Sequence, residues 1–167
     1  MALRLGRLTI PRVSLRLMST SIPAAHLADA HCTPCSKKAI REQGIERLPE
    51  TEAQRLLGEL RPGWSLAPQP FVGGTPADAP AALQRVYRFR NFATAAAFAS
   101  AVGHEADAEG HHPAILLEWG SVAVWWWSHA LAGVRYLHDL LTQLHTNDFV
   151  MAARTDRLAE AADGRKD

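Results

Sequence analysis

The residues of this 167-residue chain best suited to chemistry gather between Asp107 and His129. That stretch holds Asp107, the adjacent pair His111-His112 followed by Pro113, and His129 after the run Trp125-Trp126-Trp127-Ser128. An imidazole gives and takes protons near neutral pH, so three of them fit general acid and base work. Asp107 precedes His111 by one helical turn, a spacing from which a carboxylate orients a ring of the pair or stabilises its protonated form. Pro113 restricts the backbone at His112 and helps hold the two imidazoles in different directions. Two other readings stay open. Three histidines suit a zinc, iron or copper site, although side chains of consecutive residues diverge and serve one ion poorly. Adjacent histidines are also ordinary structural residues at surface junctions, the reading that fits His104, His138 and His145. Neither a Gly-rich phosphate loop of the usual forms nor a Gly-x-Ser-x-Gly nucleophile turn occurs.

These side chains need elements to carry them. From Ala82 the sequence alternates, with Leu83, Arg85, Tyr87 and Phe89 on one side, which predicts a strand with one apolar face. Asn91 is placed to cap a helix bearing Phe92, Ala95, Ala96, Ala99, Val102 and Ala106, and Gly110 to stop it, so its last turn delivers Asp107 beside His111-His112-Pro113. Ile115 to Trp119 and Val122 to His129 read as two further strands around Gly120-Ser121. The second is apolar on both faces and requires helices on one side and a subunit or ligand on the other. Upstream, Glu50 to Leu60 predicts a helix, Trp64-Ser65-Leu66 a short strand and Pro68 to Pro80 a loop. Downstream, Val134 to Leu144 has helical period, Asn147 caps a last helix, and Glu160 to Asp167 reads as a frayed polar tail.

An apolar content of 47% supports one globular domain. The formal charge is +1, but the first twenty residues hold four arginines and no acid, leaving 14 basic against 17 acidic side chains. A body of that balance offers no evident nucleic-acid surface. No apolar run is long enough to span a bilayer. The arginine-rich start fits an organelle-targeting segment, a flexible tail, or translation that begins at Met18. With only Cys32 and Cys35, a disulfide framework is excluded and a reducing cytoplasmic setting is the simpler expectation. Those thiols, with His26 and His31, leave three possibilities: a zinc site of unusual spacing, a redox pair, or unremarkable cysteines.

Several segments taken together resemble the pterin-4a-carbinolamine dehydratase family. They are Phe89-Arg90-Asn91-Phe92, Asp107 with His111-His112-Pro113, Val122-Ala123-Val124, Ser128-His129-Ala130 and Asn147 to Ala153, with Pro62-Gly63-Trp64 earlier. The family pattern is an acid four residues before His-His-Pro, a Val-x-Val-x-Leu-x-Thr-His strand and a Gly-Leu-Thr-x-x-Asp helix start, and the likeness covers roughly Leu48 to Leu158. It implies an α+β fold, a four-stranded antiparallel sheet with helices packed on one face. On that basis residues 1–47 form a flexible or irregular extension, 48–160 the domain and 161–167 a tail. The implied reaction is loss of water from 4a-hydroxytetrahydropterin to give quinonoid dihydropterin, with no metal and no organic cofactor. Carried over, His111, His112 and His129 are catalytic, with His111 and His129 sharing acid and base duties and His112 binding the pterin. Asp107, Pro113, Ser128 and Asp148 support them, and Trp119 and Trp127 either wall the pocket or pack in a core or subunit contact. The implied partners are the pterin and further copies of the chain in a dimer or tetramer, with no nucleic acid and no membrane.

The chain also departs from the pattern. Asp107 stands where the family has Glu, and Ser128 where it has Thr. Asp148 comes nineteen residues after His129, about ten more than in the family pattern, and the excess is assigned to Val134–Gln143. The family includes relatives that work as protein partners, a transcriptional coactivator and Rubisco assembly factors, and these imply a rival non-catalytic role as a binding partner or assembly factor.

Overall fold

The computed structural model describes residues 24–34, 38, 48–70, 81–128 and 144–166. His129, Cys35 and the Val134–Gln143 run lie outside the described residues. In chain order the elements are a short 3-10 helix at Ala24–Asp29, α1 Glu50–Glu59, β1 Ser65–Pro68, β2 Ala81–Phe89, α2 Phe92–Glu109, β3 Ala114–Glu118, β4 Ser121–Trp126, α3 Thr146–Ala161 and β5 Arg165–Lys166.

The expected antiparallel four-stranded sheet is present in the order β1-β2-β4-β3, and the two-residue β5 adds to β2. Arg165 and Lys166, expected in a frayed tail, are therefore paired: Arg88 faces Lys166 and Phe89 faces Arg165. Alternation along β2 works as expected, with Leu83, Tyr87 and Phe89 buried and Val86 exposed. Strand β4 stops at Trp126, earlier than the sequence suggested, so Trp127 and Ser128 follow it without regular structure. Val122, Val124 and Trp126 point into the core with Phe98, Val102 and Ala106 of α2 and Phe149 and Ala152 of α3. On the opposite face, register aligns Val86, Ala123 and Leu116 in one row, of which Val86 and Leu116 are each 41% exposed.

Local chemistry sets the ends of α2. The Asn91 side chain accepts from the Thr94 amide at 2.9 Å, satisfying a donor of the first turn. At the other end Gly110 adopts φ 64°, a left-handed conformation that costs glycine little. The amides of Gly110 and His111 then turn back to the carbonyls of Asp107 and Ala106, the paired bonds of a Schellman stop. The segment 24–34, read from sequence as irregular, packs on α3: Leu27 is 1% exposed and joins the core, and Arg154 donates through Nε and Nη2 to the Ala30 carbonyl.

Candidate active site

The Schellman turn fixes the backbone of His111 one residue after Gly110, and its ring enters the interior, 2% exposed. There it stacks on Trp126, with centroids 5.8 Å apart and planes within 13°. The ring reaches Asp148 at the start of α3: Nε2 lies 2.8 Å from Oδ1. Asp148 is fully buried, and an ionised carboxylate survives there only when donors replace its water. Besides His111, Ser128 Oγ donates to Oδ1 at 3.2 Å, and the His145 amide donates to Oδ2 at 2.7 Å. Asp148 thus both caps α3 and holds a histidine.

A carboxylate only accepts hydrogen bonds, so the contact places a proton on His111 Nε2. Asp148 thereby fixes the tautomer and the orientation of the ring. His145, the residue before α3, accepts from the Asn147 amide through Nδ1 at 3.2 Å. Burial holds its pKa below the ordinary histidine value; Asp148 opposes that shift and the His111 charge adds to it.

His112 takes the other direction. Its Nε2 lies 3.0 Å from Asp107 Oδ1, with side-chain exposures of 58% and 77%. The ring that Asp107 orients is therefore that of His112. The reason is geometric: the left-handed Gly110 swings His111 inward, and Pro113 leaves His112 beside the last turn of α2. The His112–Asp107 pair edges an open cleft of about 410 Å³ with Ser100, His104, Pro113 and Ile115.

Of the residues singled out from the sequence, His111, Ser128 and Asp148 come together, as do Asp107, His112 and Pro113. Trp127 is buried and Trp119 is 73% exposed. Trp119 sits in the β3–β4 turn, at the end of β3 remote from Pro113, and joins neither histidine pair nor a core. His145, Trp126 and Asn147 were not singled out as members of the site. The sequence predicts the cap at Asn147 and a surface junction at His145, whereas His145 itself caps α3 and is buried; the stacking of Trp126 on His111 depends on tertiary packing. Among the described residues no three His, Cys, Asp or Glu side chains gather as ligands for a metal ion, and no helix is long and apolar enough to cross a membrane.

A family model described as pterin 4 alpha carbinolamine dehydratase matches residues 46–158. Among solved structures, the chain is similar to a crystal structure of transcriptional coactivator/pterin dehydratase from Brucella melitensis. Identity is 27% and the TM-score 0.46, over 67% of this chain and 97% of that one.

Proposed function

This chain belongs to the pterin 4 alpha carbinolamine dehydratase family, and we propose that it removes water from a 4a-hydroxytetrahydropterin by histidine general acid and base catalysis. One proton goes to the departing 4a-hydroxyl, another leaves a ring nitrogen, and the product is the quinonoid dihydropterin. Water is lost without net transfer of electrons, so the reaction calls for no redox cofactor.

The observation that carries this reading is the buried His111–Asp148 pair. A carboxylate beside a buried imidazole fixes one ring nitrogen as donor and favours the protonated ring, an arrangement general acid and base catalysis uses. In this reading His111 and His129 divide the two proton transfers. His129 follows Ser128 directly in the chain, and Ser128 is bound to Asp148. His112, steadied by Asp107, binds the pterin at the cleft, whose size falls within the usual range for small-molecule sites. Pro113 sets the direction of His112.

The test is the dehydration rate of a 4a-hydroxytetrahydropterin compared with its spontaneous rate. The intact protein accelerates it, and His111→Ala lowers that acceleration by about a hundredfold or more. His112→Ala raises KM as well. A folded protein giving no acceleration overturns the reading in favour of a protein-binding role. The exposed row of Val86 and Leu116, with Trp119 beyond it, is the observation that favours that second reading.

A further inference from the structure

We infer that His31–Thr33 form a positioning clamp that holds His111 and Asp148 in register, an inference that rests on the proposed role of that pair. These residues lie ahead of the segment matched by the family model, residues 46–158. They bridge the two turns from which the pair springs. Glu109, two residues before His111, accepts from the Cys32 amide through Oε2 at 2.7 Å, and its Oε1 lies 2.8 Å from His31 Nδ1. Asn147, one residue before Asp148, grips Thr33 from both sides. Its Oδ1 accepts from the Thr33 amide at 3.0 Å and from Oγ1 at 3.2 Å, and its Nδ2 donates to the Thr33 carbonyl at 2.8 Å.

Three consecutive residues thus fasten the C-terminal end of α2 to the N-terminal end of α3. Arg154 reinforces the same junction, reaching Glu105 and, at 3.1 Å, Glu109 while holding the Ala30 carbonyl. Burial opposes the charge on Glu109, but the Cys32 amide, His31 and Arg154 outweigh it and keep its pKa below the ordinary carboxylate value. The clamp contacts neither substrate nor reacting atoms. It acts through the Nε2 to Oδ1 distance, where displacement by about 1 Å is enough to cost a hundredfold in rate.

The full-length Asn147→Ala variant tests this, because it removes all three bonds to Thr33 and leaves Asp148 in place. The first readout is solvent exchange of the His111 Nε2 proton, followed by nuclear magnetic resonance well below the melting temperature. The second is the division of the activity loss between kcat and KM. The clamp predicts exchange faster by about tenfold and kcat lower by about tenfold, with KM within about twofold. Leu57→Ala in α1 serves as control; at a similar loss of Tm it changes neither readout. Should Asn147→Ala fail to fold, Glu109→Ala, which cuts the bonds to His31 and Cys32, is read in the same way. A folded variant whose Nε2 proton exchanges as in the parent overturns the clamp. The exchange readout needs no pterin, so an inactive parent protein counts against the dehydratase reading while leaving the clamp to be judged on the proton alone.

Discussion

Helix α3 carries two buried carboxylates eight residues apart, Asp148 and Asp156, and they have opposite kinds of partner. Asp156 receives Trp64 Nε1 at 2.9 Å, Arg85 Nη1 at 2.7 Å and the Tyr87 hydroxyl at 2.6 Å. None of these donors changes charge near neutral pH. The Tyr87 phenol is pushed well above its ordinary range, first by burial and then by the adjacent carboxylate. Burial also raises the pKa of Asp156, against the pull of Tyr87, Trp64 and Arg85. Asp148 instead faces an imidazole, a hydroxyl and a helix-start amide. Equal burial therefore yields two different devices: one fastens α3 to β2, and the other holds a ring that can change protonation state. The identity of the donors, rather than the depth of the acid, makes the difference.

The largest expected effect separates the two on rate. Asp148→Asn keeps an oxygen for the His145 amide but loses the charge that stabilises protonated His111, and pterin dehydration falls by about a hundredfold or more. Asp156→Asn leaves the rate per folded molecule within about twofold of the parent. Equal losses in the two variants would break the comparison. The next effect separates them on stability. Asp156→Ala strands the Arg85 guanidinium, whose side chain is 12% exposed, and urea denaturation should register a loss of about 3 kcal/mol.

The smallest effect sharpens the comparison through pH. His145 sits beside Asp148 and has a lowered pKa in the folded chain. Its contribution to stability is present above the unfolded value near 6.5 and is lost as pH falls through that value toward the lower folded one, where the unfolded chain binds the extra proton. Stability measured in urea should therefore drop between pH 7.5 and 5.5, and His145→Asn, which can still cap α3, should flatten that drop. An unchanged slope would remove His145 from the account.

Much of the scaffold could be read from the sequence because its signals are local. Asn91, the alanine-rich stripe and Gly110 mark both ends of α2, and alternation marks β2. His111, His112 and Asp148 were recognisable by motif, but the pairing of Asp107 with His112 depends on the direction in which Gly110 turns the chain. The role of residues 24–34 was not legible, since a lone Leu27 sets up no period and Thr33 meets Asn147 across 114 positions. Pairing of Arg165 and Lys166 was hidden for a similar reason: a two-residue polar strand carries no pattern, and only the free edge of β2 makes it one.

That edge has a consequence for solubility. Strand β2 is bordered by β4 along one side, and along the other by β1 over Ala81 to Gln84 and by β5 over Arg88 and Phe89. Two short segments, β1 and β5, thus occupy most of the backbone donors and acceptors that would otherwise template a neighbouring molecule. Trimming the last three residues would bare the stretch beside Phe89 and invite strand-to-strand self-association at high concentration.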